Sequence, residues 1–308
     1  MQEPKSGLTR DSWWLYPAHE HLRPGYGRQT LAFLAITFAI TYGVGVLAFL
    51  FPNVMIGENG LSGPRAQAFF FLAVYGPTLA GLILIVSHHG WRRGLADVFA
   101  GVVAPRTPLT WVIWAVIALA VMPLGWLMVD ALAHIGLGGG PIGPLNVAAI
   151  ATVPVLFVTT LALIADPGPI GEEYGWRGYL LPRLIVLLGP LRASILIGII
   201  WGIWHLPVFF FPGTNQASAS YAFMMANWIG SSILMTWIFI RTGGNWFLSG
   251  VIVHASLNTS LAIGILGIDP LYALGSLFLA SVVLLWRGPD LDLALMRDRA
   301  GPAPSDGT

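Results

Sequence analysis

The chain has no cysteine, which excludes disulfides, a thiol nucleophile and cysteine-held metals. Charge is nearly as scarce. Only 9% of the 308 residues are Asp, Glu, Lys or Arg, against about 25% in an ordinary soluble domain. The formal net charge of +1 gives no basic stripe for a nucleic acid, so none is expected as a partner. The first 30 residues lack an apolar run ending in small residues, so no cleaved signal peptide is expected there. Sequence repeats of the kind that build many transporters are also missing.

Apolar sequence fills the space that charge leaves. The chain is 56% hydrophobic, and its mean hydropathy is +0.75. About 20 apolar residues cross a bilayer as a helix. Spans are read at Leu31–Phe51, Ala66–Ser87, Trp111–Leu132, Val147–Ala165, Ala193–Phe211, Tyr221–Ile240, Trp246–Leu266 and Leu271–Trp286. The expected fold is therefore an all-α polytopic membrane protein of about eight transmembrane helices. Between Trp91 and Pro105, Leu95, Val98, Phe99 and Val102 recur at helical spacing, which predicts a helix lying in the membrane surface. With both termini cytoplasmic, every Lys and Arg except Arg65 falls on the inner side. Residues 1–30 form an N-terminal cytoplasmic segment and 31–286 one membrane domain. Residues 287–308 form a polar cytoplasmic tail, and the Pro, Gly and Ser content of about its last 15 to 20 residues, ending in "RDRAGPAPSDGT", predicts little fixed structure.

Ionisable side chains inside such a chain are costly and mark functional candidates. The stretch "GPIGEEYGWRGYLLPRL" from Gly168 places Glu172, Glu173, Arg177 and Arg183 between two apolar runs. "WGIWH" ends on His205, and "HASLN" holds His254 and Asn258. Asp130, near a span end, has the blander reading of an interfacial carboxylate. Asp166-Pro-Gly-Pro169 should break the preceding helix and start a new one, with Glu172 in its first turn. Glu173 and Arg177 are four apart and can pair, while Glu172 faces about 100° away. His254 and Asn258 share a helix face, and Trp201 can pack over His205. Taken singly, each pattern is as well explained by helix packing or interhelical hydrogen bonding. Together, in a chain this poor in polar groups, they suggest one shared site.

The forms Glu-Glu-x-x-x-Arg (Glu172–Arg177), aromatic-x-x-x-His (Trp201–His205) and His-x-x-x-Asn (His254–Asn258) occur in an order that resembles the CPBP family. These are the CAAX-processing and bacteriocin-processing intramembrane proteases, relatives of the Ras-converting CAAX endopeptidase. The resemblance covers about Val147 to Leu266. It implies that Glu172 activates water, that His205 helps hold it, and that His254 and Asn258 stabilise the oxyanion. Glu173, Arg177 and Trp201 are supporting residues. The family has Phe where this chain has Trp201, a change expected to affect the groove more than the chemistry. Amide hydrolysis does need an activated water and donors for a growing oxyanion, and a buried Glu tends toward a raised pKa, suited to a base.

The resemblance implies no cofactor, with zinc on Glu172, His205 and His254 as the alternative. The partners it implies are the bilayer and a membrane-associated peptide or protein, lipidated or not. It implies a multi-pass protein of a prokaryotic cell (inner) membrane. His-Glu-x-x-His and Gly-x-Ser-Gly are absent, and Asp269 lies in "GID" rather than Gly-x-Gly-Asp. The competing functions are a proton-coupled transporter or channel, with Glu and His as relay groups, and a non-proteolytic immunity or scaffold protein.

Overall fold

The computed structural model describes residues 23–55, 63–103, 110, 167–211, 214–262 and 270–300. Among them there is no strand. In chain order the main helices are α1 (Arg23–Leu50), α2 (Pro64–Val74), α3 (Gly76–His89), α4 (Trp91–Val103), α5 (Pro167–Glu173), α6 (Leu181–Leu188), α7 (Pro190–His205), α8 (Tyr221–Arg241), α9 (Val253–Ala262), α10 (Pro270–Arg287) and α11 (Leu293–Ala300). Two wider-wound π segments, Tyr174–Leu180 and Phe247–Ile252, lead into α6 and α9. The expected spans Trp111–Leu132 and Val147–Ala165 lie outside the described residues, as does Asp130.

By length and composition three helices can cross a membrane: Gly25–Leu50, Pro190–Phe210 and Tyr221–Arg241. Helices α2 and α3 make a fourth if taken as one span bent by 51° at Tyr75. The expected seventh and eighth spans coincide with shorter apolar helices, Phe247–Asn258 and Gly275–Arg287. Proline punctuates these elements. Pro64, Pro77, Pro182 and Pro190 all stand in a first helical turn, where a missing N–H costs nothing. Gly189 (φ 78°) turns the chain between α6 and α7 in a conformation that disfavours a side chain.

The surface carries large apolar side chains, and a few polar ones are enclosed within the apolar core. Phe49, Phe71, Ile83, Phe278 and Leu285 are exposed, as lipid contact requires. Glu172, Glu173, Arg177, Asn227, Asn245 and His254 are buried. Helices approach closely where glycine permits it. A Cβ on Gly198 would stand 2.6 Å from the Ile229 Cα, and one on Gly175 would stand 2.4 Å from the Pro77 backbone. These contacts fix α7 against α8 and the first π segment against α3.

Two expectations about charge change here. Arg177 and Arg183, assigned to an inner loop, are buried on the helical run that follows Pro167. Arg183 donates to Gln29 Oε1 (2.7 Å) and to the Tyr179 carbonyl (2.7 Å), joining α6 to α1. Both arginines have partners inside the bundle, so neither reports orientation. The tail, expected to lack structure, is helical over Leu293–Ala300. Asp290 caps that helix by accepting from the Ala294 N–H (2.7 Å), and Asp292 accepts from Trp237 Nε1 (3.0 Å). Helix α4 forms where the surface helix was expected. Trp91 and Phe99 are exposed, while Gly94 and Gly101 face Ile85 and Trp246.

Candidate active site

Pro167, Gly168 and Pro169 are themselves helical, so Glu172 is the sixth residue of α5 and not in its first turn. The predicted dipole contribution at Glu172 therefore does not apply. Burial and specific partners set its environment instead. Tyr75, at the α2–α3 bend, lies against Gly171, where a Cβ would meet its ring at 2.8 Å. Thr78 Oγ1 donates to the Ile170 carbonyl (3.3 Å). The bent pair thus supports the helix that carries Glu172.

Glu172 is 3% exposed, and its Oε2 accepts a hydrogen bond from Trp201 Nε1 at 2.6 Å. Glu173 faces elsewhere, as the helical spacing predicts. Its carboxylate meets Arg177 Nη1 at 2.9 Å and His254 Nδ1 at 2.9 Å, with all three side chains no more than 7% exposed. A buried carboxylate tolerates dehydration only with such partners. Space for it comes from Gly250 in the second π segment, where a Cβ would stand 2.7 Å from Glu173 Oε2. The Arg177 guanidinium also lies over the Trp201 ring (4.6 Å), and the His254 ring meets that indole edge-on (5.1 Å). Trp201 is therefore the common neighbour of Glu172, Arg177 and His254.

His205 ends α7. Its Nδ1 lies 2.9 Å from the Trp201 carbonyl, and a carbonyl only accepts. Nδ1 thus bears the proton, and in the neutral ring Nε2 is left as an acceptor. The ring expected to cover His205 is Trp201, but the stacking ring is Trp228 on α8, at 4.6 Å and 18°; Trp201 is tilted at 5.9 Å. Asn258, one turn beyond His254, directs Nδ2 toward Gly168. A Cβ placed on Gly168 would stand 3.5 Å from Asn258 Nδ2 and 3.8 Å from Glu172 Oε1. The missing side chain at 168 leaves a space flanked by these two groups.

Glu172, Glu173, Arg177, Trp201, His205, His254 and Asn258 thus fall in one neighbourhood, on α5, the first π segment, α7 and α9. π turns recur at functional sites because they displace one residue out of the helical ladder. Sequence reasoning missed Trp228, Gly168 and Gly250. Trp228 sits in an apolar run with no pattern to set it apart. The two glycines are invisible until their neighbours are known. It also treated Trp201 as equivalent to Phe, yet the indole N–H makes a contact that a phenyl ring cannot.

For a metal, the donors that remain are Glu172 Oε1 and the Nε2 atoms of His205 and His254, since Trp201 holds Glu172 Oε2 and a carbonyl and Glu173 hold the two Nδ1 atoms. Among the described residues no group of three or more His, Asp or Glu side chains is placed to hold one ion.

Comparison with known proteins gives two matches. Residues 151–260 match the family described as type II CAAX prenyl endopeptidase Rce1-like. The CAAX prenyl protease 2 of Methanococcus maripaludis is 32% identical over 115 residues, which cover 34% of this chain and 39% of that relative. The match to this relative thus spans about two fifths of its length, and the family match over 151–260 contains all three motifs. By these two findings, the segment that builds the site is similar to the type II CAAX prenyl endopeptidase Rce1-like family.

Proposed function

We propose that the protein is an intramembrane endopeptidase that hydrolyses a peptide bond in a membrane-associated substrate. The observation that carries this reading is the convergence of a buried carboxylate, two imidazoles and an amide on one spot among apolar helices. In the proposed reaction Glu172 takes a proton from water while His205 Nε2 accepts a hydrogen bond from the O–H that remains. The oxygen attacks the scissile carbonyl carbon. Asn258 Nδ2 donates to the resulting oxyanion, joined by His254 Nε2 when that ring is protonated on both nitrogens. Collapse of the intermediate breaks the C–N bond, and Glu172 returns its proton to the leaving amine. Glu173 and Arg177 hold His254 in place and do not touch substrate.

The substrate class follows from the relative's name. A peptide with a prenylated CAAX terminus is the first to test, since a lipid tail brings its scissile bond to a site bounded by apolar helices. Both termini are placed in the cytoplasm in this reading, with the substrate entering from that side.

The test uses pure protein in lipid vesicles with a quenched, farnesylated CAAX peptide. Cleavage by the wild type and none by Glu172→Gln supports the reading. Equal cleavage by both, or none by the wild type on any lipidated peptide, overturns it. Assays with and without a chelator, alongside metal analysis, decide the zinc alternative: stoichiometric zinc required for turnover would replace the metal-free scheme.

A further inference from the structure

We infer that Trp201 is a positioning residue that divides the work of the two Glu172 oxygens, and that the hydrolytic water and scissile carbonyl occupy the space beside Gly168. The inference rests on the peptidase reading but makes a claim that can fail separately. Three observations support it. The Trp201 indole N–H points at Oε2, at 2.6 Å, and this ring is 1% exposed, so no water competes for the contact. Oε1, the other oxygen, borders the position that a side chain on residue 168 would fill. Asn258 Nδ2 borders that same position from the opposite element, α9. A carboxylate rotates about its last bond and can present either oxygen. Anchoring one of them leaves the other aimed at a single place.

Trp201 is itself held from two sides. Arg177 lies over its ring, and the His254 ring meets it edge-on. The Glu173–Arg177–His254 group thereby packs against the ring that holds Glu172. A phenyl ring at 201 would keep the packing and lose the anchor. Gly168 precedes Pro169 within α5, a place where a side chain disfavours helical backbone. Its Cβ would nonetheless meet only ordinary van der Waals distances at Asn258 and Glu172. An added methyl would fill the reaction space more than it would disturb packing.

The test combines two variants, Trp201→Phe and Gly168→Ala, in the full-length protein. For Trp201→Phe, kcat should fall roughly 10- to 100-fold with KM within about 2-fold, the signature of a contact that matters in the transition state. In nitrogen-15 spectra, the indole N–H signal missing from Trp201→Phe should lie downfield in the wild type and move upfield in Glu172→Gln. For Gly168→Ala, kcat/KM should fall at least about 10-fold in protein still folded at the assay temperature, while the side chain before Pro169 lowers the detergent melting temperature somewhat. An indole signal indifferent to Glu172→Gln overturns the anchor even if the wild type is an active peptidase. Wild-type kcat/KM in Gly168→Ala overturns the location. Gly168→Ser carries the same backbone strain but a larger side chain, so it should lose more turnover than Gly168→Ala; equal losses in the two variants overturn the location.

Discussion

Two clusters in this molecule use the same ingredients, a carboxylate, arginine and tryptophan, and differ in almost every other respect. Around Glu173 the partners are at 2.9 Å, and none is more than 7% exposed. Around Asp292, Arg241 and Arg287 approach only to 3.7 Å, with side chains 17% and 25% exposed, and Trp237 donates at 3.0 Å. The first cluster lies in the middle of the bundle beside the candidate site. The second ties α8 and α10 to α11 near the end of the chain. Water reaches the two arginines of the second cluster, though Asp292 itself is only 8% exposed, and it weakens these charge interactions and solvates an arginine that loses its partner. Nothing rescues the first. A lost partner there leaves a dehydrated charge.

Mutation should separate the two clusters in a fixed order. Glu173→Ala should have the largest effect, about 3–5 kcal/mol lost by denaturant unfolding, because Arg177 is left buried and unpaired. Next is His254→Ala, where peptidase activity should fall at least about 100-fold, with a smaller stability loss than Glu173→Ala. At the second cluster, Asp292→Asn should cost only about 0.5–1 kcal/mol and leave cleavage unchanged. Asp97→Asn should be the mildest. It removes a 2.5 Å pair with His89, whose side chain is 42% exposed, and should shift stability by less than about 0.5 kcal/mol. If Asp292→Asn proved as damaging as Glu173→Ala, burial would not be what separates the clusters.

Hydropathy showed the helical class well, since α1, α7 and α8 need only long apolar runs. The Glu173–Arg177 pair was legible because its contact is local and follows from helical spacing. The partners of Trp201 and His205 were not, because those contacts join helices distant in sequence. Spacing says which side chains share a face but not which neighbour that face meets. The helical Pro167-Gly168-Pro169 also defeated sequence reading. Prolines are tolerated at the first positions of a helix, and glycine at 168 removes the clash a side chain would add before Pro169. The inner-loop assignment of Arg177 and Arg183 failed for a related reason. Counting charges treats every arginine as solvated, yet these two are held by Glu173 in one case and by Gln29 and a carbonyl in the other.

The central claim is that Glu172 drives water into a peptide bond. Its most direct test is cleavage of a farnesylated CAAX peptide in oxygen-18 water by pure wild-type protein and by Glu172→Gln, read by mass spectrometry. The account predicts one oxygen-18 atom in the new carboxylate of the wild-type product, and no product from a Glu172→Gln protein that melts at the wild-type temperature. Labelled product from Glu172→Gln at the wild-type rate would contradict it.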